Sequence, residues 1–109
     1  METYSIEKIR DVIASEGFEY ALTSYLSPAA IEDKDLARMV MEFSSLHSLI
    51  EGLILDSPDT ELHEMIENEG LDYILTDYLA PEDVQEPAFK VLVSSYLRSR
   101  ERIEHTLRL

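Results

Sequence analysis

Three histidines are the residues of this chain best equipped to do chemistry. Each has a glutamate four positions away: His47 with Glu51, His63 with Glu67, and His105 with Glu101. On a helix that spacing puts imidazole and carboxylate on one face, where they would supply two ligands of a metal site or a base with its orienting acid. The residues that would complete such a site are missing. Di-iron bundles use Glu-x-x-His, but Ser44, Thr60 and Arg102 stand three residues before the histidines. The run His63-Glu64-Met65-Ile66-Glu67 lacks the second histidine of the zinc-protease signature. A calcium loop starting at Asp56 would set Pro58 and Thr60 at ligand positions and has no glycine at the sixth. With no cysteine and only three glycines, neither a thiolate zinc site nor a phosphate-cradling loop can be built. The expectation is a non-enzymatic chain with no catalytic residue, no metal and no cofactor, its histidines being surface ion-pair partners or helix-end residues.

Charge offers a different kind of chemistry. The 109 residues carry 23 acids against 9 Lys and Arg, a net charge of −14. Direct binding of nucleic acid or of an anionic membrane needs cations to release counterions, so both are excluded as partners, and a basic protein is expected instead. The acids are unevenly spread: 13 fall in the 51 residues between Arg38 and Lys90, which hold no Lys or Arg, whereas residues 90–109 hold five basic residues and two acids. Asp59, Glu61, Glu64, Glu67, Glu69, Asp72, Asp77, Glu82 and Asp83 make the candidate acidic face. Acids three or four apart on a helix lie about 5–6 Å from one another, the same order as charges along nucleic acid. In size, charge and predicted helicity the chain resembles small acidic phage proteins that mimic DNA, including the overcome-restriction type. That resemblance implies a decoy or inhibitor that fills the basic groove of a nucleic-acid-binding protein.

Six tyrosines complete the inventory, and Tyr20 and Tyr25 recur as Tyr73 and Tyr78. Repeated aromatics with an apolar body and a polar tip predict a packing role; exposed among acids, they would instead anchor an interface.

The elements that carry these residues follow from an internal repeat. Shifted by 53 residues, segment 13–56 overlays 66–109 without gaps, and residues 16–28 match 69–81 at eight of thirteen positions. Each copy reads as helix, glycine, short helix, proline turn and long helix. Ile6, Ile9, Val12 and Ile13 have helical spacing, with Thr3 or Ser5 as cap; a bend at Gly17 brings the stripe Phe18, Leu22, Tyr25 and Leu26 to the same core. Leu62, Met65 and Ile66 before Gly70, and Leu71, Leu75, Tyr78 and Leu79 after it, repeat the arrangement. Asp33 is the expected cap of a helix from Lys34, Pro87 belongs in the first turn of its counterpart, and Ser57 with Pro58 should start the helix between them.

In the long helix Leu36, Met39, Phe43, Leu46, Ile50 and Leu53 form an a/d seam of three heptads. Phe89, Tyr96 and Ile103 repeat its first series, with Leu92, Ser99 and Thr106 between them. The predicted fold is therefore all-α, a bundle of about six helices in a single domain (1–109), built from tandem units at about 4–56 and 57–109. The seam offers the alternative function, a structural or adaptor protein that homodimerises, with its basic C-terminal helix packed against the acidic middle of its own or a second chain. No basic start precedes an apolar run and no cysteine is present, so a soluble cytoplasmic chain is expected.

Overall fold

In the computed structural model the described residues are 3–56, 58, 60–78 and 85–109. They form an all-helical structure: α1 (Ile6–Glu16), α2 (Phe18–Tyr20), α3 (Lys34–Leu55), α4 (Thr60–Glu69), α5 (Leu71–Tyr73) and α6 (Pro87–Leu107). Among the described residues the only strand-like feature is an isolated bridge between Tyr4 and Ile31, closed by Tyr4 N–H to Ala30 O at 2.8 Å and Glu32 N–H to Tyr4 O at 3.0 Å. No helix among them is long and apolar enough to cross a membrane.

The caps explain where the helices begin. Ser5 Oγ accepts from the Lys8 amide at 3.2 Å, opening α1. Asp33 Oδ1 accepts from the amides of Asp35 and Leu36, both at 3.0 Å, so α3 starts where the sequence places it. Loss of these two bonds in Asp33→Ala is expected to cost about 1 kcal/mol of stability in a urea titration; no measurable change would show that the cap is redundant. Helix α6 opens on Pro87, whose missing N–H would have no partner there. Helix α4 opens at Thr60 rather than Pro58, and its expected cap Ser57 lies outside the described residues.

Helix α1 ends with Gly17 N–H bonded to Ile13 O at 2.8 Å, and Gly17 takes φ +89° and ψ 154°. Gly70 ends α4 in the same way, with its N–H to Ile66 O at 3.0 Å and φ +85°, ψ 157°. After each glycine comes one α-turn and then a wider turn with i to i+5 bonding, over Ala21–Tyr25 and over Ile74–Tyr78. Leu26 N–H bonds Ala21 O at 2.9 Å to close the first of these. A threonine serves each wide turn: Thr23 Oγ1 donates to Glu19 O at 2.7 Å and Thr76 Oγ1 to Asp72 O at 2.8 Å, each taking up a carbonyl four residues back.

The chain divides into two compact units, Met1–Ser44 with Ser99–Leu109, and Ser45–Arg98. These units do not coincide with the two 53-residue segments of the sequence. The first takes the end of α6, and the second takes the end of α3. Within the first unit Phe18 and Phe43 meet edge to face, with centroids 5.4 Å apart and planes at 84°. Arg100 lies over the Phe18 ring at 4.3 Å and pairs with Glu104, while Thr106 Oγ1 points to Met39 Sδ at 3.6 Å. Within the second unit Tyr96 is fully buried, its hydroxyl donating to Asp72 Oδ1 at 2.6 Å, and His47 stands 6.4 Å from its ring. No buried side-chain polar atom among the described residues lacks a hydrogen-bond partner.

Candidate functional site

The histidines stand in three different settings. His47 is buried beside Tyr96, with Nδ1 3.9 Å from Glu51. His63, on α4, reaches across to Ile54 O, in the last turn of α3, at 2.9 Å. His105 and Glu101 are exposed in the last turns of α6. Among the described residues no three His, Asp or Glu side chains converge as a metal site would require. An open groove of about 410 Å³ in the second unit, lined by Leu53, Leu62, Phe89 and Leu92, is apolar apart from Glu86.

Half of the heptad seam is internal. Leu36, Phe43 and Ile50 have no exposure at all, Met39 and Leu46 are half-buried, and only Leu53 is open to solvent. Three of the six expected seam residues are thus covered within their own chain.

The acids of α4 do face solvent. Glu61, Glu64, Glu67 and Glu69 are all exposed, as is Asp77; Asp72 is half-buried and accepts the Tyr96 hydroxyl. The apolar side chains of α4 explain the orientation, because Leu62, Met65 and Ile66 take the covered side of a ten-residue helix. Asp59, Glu82 and Asp83 lie outside the described residues.

The arginines of the basic end are divided between the two compact units, with Arg98 in the second. Residues Ser99–Leu109, with Arg100, Arg102 and Arg108, belong to the first unit. That unit holds 11 acids against 7 basic residues, a net −4. The second unit keeps 12 acids against Lys90 and Arg98, a net −10.

The repeated tyrosines are the largest departure from expectation. All four are exposed: Tyr20 by 51%, Tyr25 by 47%, Tyr73 by 42% and Tyr78 by 52%. For Tyr25 and Tyr78 the wide turns are the cause. A continuous α-helix would carry Phe18, Leu22 and Tyr25 on one stripe; one extra residue in the turn rotates Tyr25 out and lets Leu26 take the buried place. In an α-helix residues five apart diverge by about 140°. Here Tyr20 and Tyr25 lie together, with centroids 6.4 Å apart and planes at 58°. The sequence signal, legible only in hindsight, is a tyrosine pair five apart with a threonine at the fourth position of the run, Tyr20-Ala21-Leu22-Thr23-Ser24-Tyr25 and Tyr73-Ile74-Leu75-Thr76-Asp77-Tyr78.

The fold and surface define an all-helical protein with one strongly acidic unit and four exposed tyrosines. No family model matches the chain, and neither does any curated protein or solved structure.

Proposed function

We propose that the chain is a non-enzymatic interaction module that presents an acidic helical face to a basic protein, in its most concrete form a decoy for a nucleic-acid-binding protein. The observation that carries this reading is the net −10 of the unit Ser45–Arg98, with four exposed glutamates along α4. A concentrated field of one sign speeds encounter with an oppositely charged groove and rejects partners of like charge. The likeness to DNA-mimicking phage proteins in size and charge supports the decoy form. We also read the chain as two tandem copies of one unit. Matching glycine geometry, wide turns and threonine bonds 53 residues apart support that reading.

A decoy competes with nucleic acid for one groove. Its complex with a basic nucleic-acid-binding protein is expected to weaken by at least about tenfold as salt rises from roughly 50 to 200 mM, and to be displaced by duplex DNA. Glu61→Gln/Glu64→Gln/Glu67→Gln is expected to slow association more than it speeds dissociation. A low-salt pull-down from cell lysate that recovers no nucleic-acid-binding protein sinks the decoy form, and salt-insensitive binding sinks the electrostatic basis.

A further inference from the structure

The paired tyrosines are not needed to close the core, and their surroundings point to an occupant. The rings of Tyr20 and Tyr25 sit 6.4 Å apart at 58°, half exposed. A planar cation can lie within about 6 Å of both such centroids, over the face of one ring and against the other. Tyr73 and Tyr78 stand at the matching positions of the wide turn Ile74–Tyr78, exposed by 42% and 52%. The exposed Asp77 precedes Tyr78, and the half-buried Glu19 and Asp72 precede Tyr20 and Tyr73. No Lys or Arg lies between Arg10 and Lys34 or between Arg38 and Lys90, so the flanking sequence supplies no cation of its own. Inside the first unit Arg100 already lies over Phe18 at 4.3 Å, so a guanidinium on an aromatic face is a contact this fold makes.

We propose that each tyrosine pair, Tyr20/Tyr25 and Tyr73/Tyr78, is a docking site for an arginine side chain of the basic partner, giving the chain two such sites, one in each compact unit. The partner chemistry is a guanidinium in preference to an ammonium, because the guanidinium is planar, weakly hydrated and stacks on rings. The proposal rests on the acidic-module reading and adds to it: carboxylates draw any basic partner, and the tyrosines select arginine.

The test is calorimetric titration of the full chain at low salt with a short Gly-Arg repeat peptide and with its Gly-Lys counterpart of equal length and charge. The arginine peptide is expected to bind two per chain and more tightly than the lysine peptide. Tyr25→Leu and Tyr78→Leu keep an apolar body on an exposed position and remove the ring, and circular dichroism checks that they remain folded. Each single variant is expected to weaken the arginine peptide at one of its two sites by about two- to fivefold, the range of an exposed cation–π contact. The double variant is expected to bind the two peptides alike. Equal affinity of the unmodified chain for both peptides, a single site, or tyrosine variants that bind like the parent would overturn the proposal. The charge variant Glu61→Gln/Glu64→Gln/Glu67→Gln separates the two readings. If it binds both peptides like the parent while the tyrosine variants lose arginine preference, the acidic-face reading fails and the tyrosine sites stand; if it weakens both and the tyrosine variants do nothing, the reverse holds.

Discussion

Phe43→Ala is expected to remove about 3–5 kcal/mol of unfolding free energy, the usual cost of truncating a fully buried aromatic ring. Phe43 has no exposed surface and meets Phe18 edge to face at 5.4 Å, so the substitution removes both the ring's own burial and the contact that holds the segment after Gly17 onto α3. Urea unfolding followed by circular dichroism measures the loss. A cost under about 1 kcal/mol would mean that the ring can be truncated without leaving a cavity, contrary to its burial. Phe43→Glu puts a carboxylate into the same dry site and is expected to unfold the chain at concentrations where the parent is folded. Its effect therefore reports folding and not assembly, although its heptad position in the sequence reads as an oligomer contact.

Glycine substitutions give the second large effect, and their signs differ. Gly17 has no heavy atom within 4 Å of the place a Cβ would occupy, yet its φ of +89° with ψ of 154° is a region open almost only to glycine. Gly17→Ala is expected to cost about 1–3 kcal/mol from backbone strain alone, and Gly70→Ala, at φ +85° and ψ 157°, the same. Gly52 lies inside α3 without a positive φ and with open space around it. There alanine is expected to stabilise by about 0.5–1 kcal/mol, because it limits the unfolded chain and favours helix. Comparing the urea midpoints of the three variants checks the argument. If Gly17→Ala proves neutral, the sharp return after α1 does not depend on that backbone geometry, and the bend would have to come from packing.

Much of the architecture could be read before any coordinates. Periodicity of Ile9, Val12, Leu22 and Leu26 marks buried helix faces, and all four are buried. Asp33 and Pro87 mark helix starts, and Gly17 marks a stop, because capping and backbone restrictions act within a few residues. The misjudged residues share one property, dependence on what the helix meets. Tyr25 and Tyr78 fit a buried α-helical stripe on spacing alone, and a single widened turn reverses their orientation. Leu36, Phe43 and Ile50 carry a heptad pattern that serves equally for a partner chain or for the chain's own core; only the packing says which.

Helical class, breaks, caps and the surplus of acid are all legible in the residue order, since each follows from local backbone preference or from simple counting. Tertiary structure decided how that charge is shared. The arginine-bearing end of α6 folds with the first 44 residues, leaving the unit Ser45–Arg98 with 12 acids and only Lys90 and Arg98 to oppose them. Linear charge cannot reveal this, because Coulomb interactions depend on distance in space, and residues more than fifty positions apart in sequence become neighbours only when the core forms.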